Sequence, residues 1–150
     1  MIPATVSRRA WVHYAACLWA LCFAAPHTWW ALGSPFGFPG GPANHRLWMA
    51  SWWRFLYDVV VILLSLLGAV VALALLPPRH TRLRRRLRAL AWIAAGLLTL
   101  RGVAGLVVDG TADPIWWPTF LVGGLLFGSV ARLSRPRDIP TGAPGAASPL

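Results

Sequence analysis

Three side chains in this chain are costly inside apolar runs, and they are also the ones with chemistry to offer: His27, Asp58 and Arg101. An imidazole changes charge near neutral pH. A carboxylate accepts hydrogen bonds, and a guanidinium stays charged and presents five N–H donors. Brought together, such a set could bind an anion, hold a ligand or relay a proton. Arg54 lies one helical turn before Asp58 and is a fourth candidate for the same cluster. The sequence thus proposes a binding cluster of His27, Asp58, Arg101 and Arg54.

Other chemistries find less support. The sequence contains no H-E-x-x-H, Walker loop or G-x-S-x-G. Paired-carboxylate catalysis would need a second intramembrane carboxylate, and Asp58 is the only one. Haem between helices needs facing axial histidines, but His13 and His27 share one segment. A His27–His45 pair would draw on a glycine-rich loop. Cys17 and Cys22 lie five apart, about 140° around a helix, so they are expected to stay unpaired as small buried apolar residues. No metal, cofactor or catalytic residue is assigned, and an enzyme is the less favoured class.

The elements that must position the cluster are apolar. Hydrophobic residues make up 57% of the 150 residues and charged residues only 12%, against roughly 25% charged in soluble domains. Four long stretches carry the excess, at about 10–32, 54–76, 88–108 and 115–133. Each is near the 17 to 25 residues that cross a bilayer core. Pro77-Pro78, Asp109-Gly110 and the region of Arg132 and Pro136 close the last three. The expected fold is therefore an all-α membrane protein: an antiparallel four-transmembrane-helix bundle over 1–133, followed by a disordered cytoplasmic tail at 134–150 rich in Pro, Gly, Ala and Ser. "SRRAWV" and the apolar run after it look superficially like a secretory or twin-arginine signal. No clear A-x-A site follows, and the first segment is read as an uncleaved span.

Arginine supplies all the positive charge, for lysine is absent, and the net charge is +10. Arg8, Arg9, Arg79, Arg82, Arg84, Arg85, Arg86, Arg88, Arg132, Arg135 and Arg137 fall on one side of the expected spans. Arg46 and Arg54 fall on the other. By the positive-inside rule both termini and residues 77–88 are cytoplasmic. Charge that hugs span ends suits anionic lipid head groups, which Arg79, Arg82, Arg84, Arg85, Arg86 and Arg88 are expected to contact. Nucleic acid is not expected as a partner; a homo-oligomer or larger membrane complex is compatible.

The pairs Trp29-Trp30, Trp52-Trp53 and Trp116-Trp117 fall at the expected outer boundary and read as an aromatic belt; a tryptophan-lined ligand site is the sharper alternative. The loop at 33–52 is rich in glycine and proline, and its second half, Leu47 to Trp53, is apolar enough to lie on the membrane surface. Small and polar residues share helical faces. His13, Cys17, Ala20, Ala24 and His27 form one stripe; Asp58, Val61, Ser65, Gly68 and Ala72 form another. Ala94, Leu98, Arg101 and Gly105 line a third, and Gly124 and Gly128 form a G-x-x-x-G.

Depth supports convergence. At about 1.5 Å per residue, His27 lies about 27 Å beyond Arg9 and Asp58 about 27 Å beyond Leu76. Arg101 lies about 20 Å beyond Arg88, and its stem reaches further outward. Direct or water-mediated pairing of Arg101 with Asp58 is expected, with His27 beside them.

His27, Trp30, Ala31, Leu32 and Gly33 form an H-x-x-W-A-L-G stretch that closes the first span. It resembles a family of small bacterial integral membrane proteins known only as a domain of unknown function. The arginine-rich inner loop and Arg101-Gly102 are similar too, over about residues 8–133, while Ser34 stands where the family pattern has a second glycine. The resemblance implies four helices and a multi-pass place in the bacterial cell (inner) membrane. It supplies no reaction. Two functions follow from the residues: a structural or accessory membrane protein whose buried ion pair fixes helix register, or a small transporter, channel or ligand-binding membrane protein that uses the polar cluster.

Overall fold

The computed structural model describes residues 4–76, 81–108 and 115–135. Among them it contains five helices and no strand: α1 (Ala4–Ala31), α2 (Gly41–Met49), α3 (Trp52–Ala74), α4 (Thr81–Val108) and α5 (Trp116–Leu133). The four long helices cover the four apolar stretches; α2 is an addition within the loop. Arg79, Asp109, Asp113 and the tail from residue 136 onward lie outside the described residues, as do the side chains of Arg8 and Arg9.

Two helices, over Trp52–Ala74 and Arg82–Val108, are long and apolar enough to cross a membrane by length and composition. The other two long helices fall short of that measure for a visible reason. His13, His27 and several tryptophans dilute α1, and α5 opens on Trp116, Trp117 and Pro118.

Contacts at both ends set the direction of each helix. His27 near the end of α1 meets Asp58 near the start of α3, while His13 near the start of α1 reaches Ser134 just past α5. On α4, Arg84 donates to the Ser134 carbonyl at 3.1 Å, and Gly105 faces Trp117 at the other end. Neighbouring long helices are therefore antiparallel. The closest partnerships are α1 with α3 and α4 with α5; α3 and α4 touch far less. Ser134, where the tail is expected to begin, is buried and bonded. Arg84, by bonding the last carbonyls of α5, complements the negative end of that helix.

The interior is built from small residues. Ala16, Ala20, Ala24, Ala69, Ala72, Ala91, Ala95 and Ala131 are buried, whereas Leu18, Leu63, Leu64, Leu97 and Leu100 are each at least 60% exposed. Close backbone approach explains this selection. A Cβ at Gly124 would collide with the Thr99 hydroxyl and come within 3.2 Å of the Ala95 carbonyl oxygen and the Thr99 nitrogen. Gly128, the other half of that motif, has its nearest neighbour at 3.8 Å; within the motif only Gly124 is at a close approach. Where α1 meets α5, aromatic rings fill the space instead. Trp19 stacks on Phe23 with centroids 5.1 Å apart, and Phe23 meets Phe120 edge-on at 5.2 Å. Both cysteines are free, and Cys22 is exposed rather than buried.

Candidate functional site

The polar cluster forms where α1 ends. Pro26 lacks an N–H, so the helix loses one internal bond just before His27. The helix then closes at Gly33, whose φ of 92° is left-handed. Gly33 N–H donates to the Trp30 carbonyl at 2.9 Å and Ser34 N–H to the Trp29 carbonyl at 3.2 Å, the paired bonds of a Schellman cap. Glycine at 33 is thus required by the turn, and the H-x-x-W-A-L-G stretch acquires a physical meaning. Its histidine faces α3, its tryptophan supplies the capped carbonyl, and its glycine reverses the chain.

The reversed chain runs into α2, whose first turn accommodates Pro42. This helix folds back over the end of α1 and α3. His45 is buried, and its Nε2 donates to the Trp30 carbonyl at 3.1 Å. Phe38 packs edge-on against both Trp30, at 5.2 Å, and His45, at 5.1 Å.

Asp58 sits beneath α2 at 1% exposure, among the largest fully buried side chains of the described residues. Both carboxylate oxygens are occupied. His27 Nδ1 lies 2.8 Å from Oδ1, and Trp48 Nε1 donates to Oδ2 at 2.9 Å. An indole nitrogen only donates, which fixes the carboxylate as acceptor on that side. With His27 donating from Nδ1, one buried carboxylate ties together α1, α2 and α3.

The two arginines behave differently. Arg54 donates to the Leu47 carbonyl at 3.3 Å, and its guanidinium lies over Trp48 at 5.3 Å and Trp53 at 5.1 Å. Arg101 makes no ion pair with Asp58, and the expected direct pairing is corrected. Its guanidinium instead rests over the Phe120 ring at 5.1 Å and above Gly105, where a Cβ would stand 3.2 Å from its Nη1. His27 and Trp48 each bond one oxygen of Asp58, and the bare face of Gly105 leaves room for the arginine beside α5. Arg101 has no hydrogen-bonding or charged partner among the described residues.

All four expected residues nevertheless line one cavity of about 450 Å³, together with Trp30, Trp48, Tyr57, Trp116, Trp117 and Phe120. That volume is in the range of small-molecule sites. Two nitrogens here, Arg54 Nε and Trp117 Nε1, are buried without a hydrogen-bond partner. The cavity wall therefore combines indole faces, two guanidinium groups and a carboxylate whose oxygens are both used. Its described lining holds no Ser, Thr, Cys or Lys nucleophile. No group of three His, Cys, Asp or Glu side chains converges as metal ligands among the described residues.

Sequence reasoning does not reach Trp48, Tyr57 and Phe120, and it weighs His45 only as a partner of His27, whereas His45 bonds the Trp30 carbonyl. Trp48 was grouped with a surface-lying apolar stretch, and a lone histidine in a glycine-rich loop gave no sign of its partner. The tryptophan pairs also divide. Trp30 is buried and lines the cavity, while Trp29, Trp52 and Trp53 face outward; Trp116 and Trp117 both line the cavity. No family model, curated protein or solved structure matches this chain.

Proposed function

We propose that this chain is a multi-pass membrane protein that binds a small ligand in a cationic, tryptophan-walled pocket at its outer face. The observation that carries the membrane part is the distribution of side-chain size: the buried set is mostly alanine, with Val71, Leu75 and Val130 among the exceptions, while most leucines lie outside. A water-soluble protein of this size seldom exposes apolar patches beyond a few hundred Å², whereas lipid rewards small residues at helix contacts and large ones facing the tails. In this reading all four long helices cross the cell membrane. The arginine asymmetry then sets both termini and residues 77–88 on the cytoplasmic side. Arg82, Arg85 and Arg86, all exposed, face anionic lipid heads there, with Arg84 and Arg88 on the same helix. Trp29, Trp52 and Trp53 stand at the opposite interface.

The pocket supports binding rather than chemistry. Two arginines face it, His27 and Trp48 each bond one oxygen of Asp58, and its described lining holds no Ser, Thr, Cys or Lys. A structural or accessory role is the second reading, favoured by those same bonds: a carboxylate that joins three helices fixes register whether or not the cavity is filled.

One labelling experiment addresses both parts. In a Cys17→Ala/Cys22→Ala background, Ser34→Cys is expected to react with an impermeant thiol reagent in intact cells and Thr141→Cys only after permeabilisation. Reaction of both in intact cells would refute the topology. At Asn44→Cys, on the cavity wall, an anionic thiosulfonate is expected to react several-fold faster than a cationic one, because the local potential is positive. Equal rates would refute the anion-attracting pocket while leaving the topology standing.

A further inference from the structure

We infer that the pocket receives the head group of an acidic phospholipid from the outer leaflet, one of whose acyl chains lies in a second, apolar cavity between α3 and α4. The inference rests on the membrane reading above and adds the ligand class. The second cavity holds about 260 Å³ and is lined by Val61, Ser65, Gly68 and Val71 of α3 and by Leu90 and Leu98 of α4, among others. It lies between these two helices, which touch far less than α1 with α3 or α4 with α5, and Phe23 of α1 and Phe127 of α5 complete its walls. Phe120 belongs to the walls of both cavities, so the polar chamber and the apolar slot meet at that ring. The Arg101 guanidinium lies over the same ring, with no carboxylate paired to it among the described residues. A cation thus lies over a ring that also walls the apolar slot, which is the charge pattern of an anionic amphiphile.

Dimensions agree. From Val61 to Val71 the slot follows α3 for about 15 Å at 1.5 Å per residue, half of the roughly 30 Å hydrocarbon core. That is the depth one leaflet's chain occupies. Arg54, on the far side of the chamber, offers a second guanidinium to the head group, and the unpartnered Trp117 Nε1 offers a neutral donor. Guanidinium groups suit phosphate oxygens by geometry as well as charge. The second acyl chain needs no site of its own, since the seam opens to the bilayer.

The test uses the full chain in vesicles of phosphatidylcholine doped with an acyl-chain diazirine lipid, either phosphatidylglycerol or phosphatidylcholine, with cross-links mapped by peptide mass spectrometry. Phosphatidylglycerol is expected to label slot residues at 61–71 and 90–98 at least fivefold more than its zwitterionic analogue, whereas outward residues such as Leu18 and Leu21 label equally. Arg101→Gln is expected to abolish the preference, and Ser65→Leu to reduce slot labelling for both lipids, in each case with an unchanged circular dichroism spectrum. Equal labelling by the two lipids, or a preference that survives Arg101→Gln, overturns the inference. Loss of the preference in excess inorganic phosphate also overturns it, because the ligand would then be a water-borne anion and only the pocket reading would stand. A chain that does not enter vesicles at all refutes the membrane reading itself.

Discussion

Asp58→Leu destabilises the folded chain by about 3 kcal/mol, in the range for leaving buried donors without their shared acceptor. The cause is what the substitution leaves behind. His27 Nδ1 and Trp48 Nε1, bonded at 2.8 and 2.9 Å, lose a shared acceptor that is itself only 1% exposed. Unsatisfied buried donors each cost about 1–3 kcal/mol. His27→Leu is also costly, because it leaves a carboxylate oxygen unpaired. The double variant removes both and leaves only the indole without a partner, so its loss falls short of the sum by more than about 1 kcal/mol. Arg101→Leu combined with Asp58→Leu, by contrast, is additive to within about 0.5 kcal/mol, because the two side chains do not touch. Equilibrium unfolding in mixed detergent and lipid measures all five variants. Additivity for His27 with Asp58 would mean that the contact is energetically idle.

The second large effect is expected at the α4–α5 crossing. Gly124→Ala costs about 2 kcal/mol, in the range for overpacking a close contact. The Thr99 hydroxyl could rotate away, but the Ala95 carbonyl and Thr99 nitrogen are backbone and can move only with α4. Gly128→Ala is the control. Its new methyl would meet the Ala95 Cβ at 3.8 Å and Trp92 at 3.9 Å, ordinary van der Waals contact, and stability should change by less than about 0.5 kcal/mol. Melting temperatures of the two variants decide the matter; equal shifts would place the crossing elsewhere.

These two sites also show what could be read from the residues and what could not. The long helices were legible because apolar runs bounded by Pro and Gly carry their own limits. Their ends were displaced where a span was equated with a helix. Helix α4 starts at Thr81 rather than 88, because arginine is a good helix former and charge marks a solvent boundary, not a backbone one. His27 and Asp58 were legible as neighbours through their equal depth. The partner of Arg101 was not. Depth gives height along a helix, whereas the direction of a long side chain depends on local room, here the bare face of Gly105 and the ring of Phe120. Trp48 was hidden for a different reason. Nothing local to a loop encodes the fold-back that carries its indole to a carboxylate ten residues later.

The uneven packing of the long helices has a consequence for assembly. With α1 held to α3 and α4 held to α5, the chain is organised as an early half and a late half, joined by the arginine-bearing connection. The early half already contains its own lock, since His27, Trp48 and Asp58 all precede residue 76. It can therefore reach its final geometry during synthesis, before α4 has left the ribosome. The late half contributes Arg101, Phe120 and Trp117, and with them the charge and the floor of the chamber. The pocket comes into being only at the moment the two halves dock.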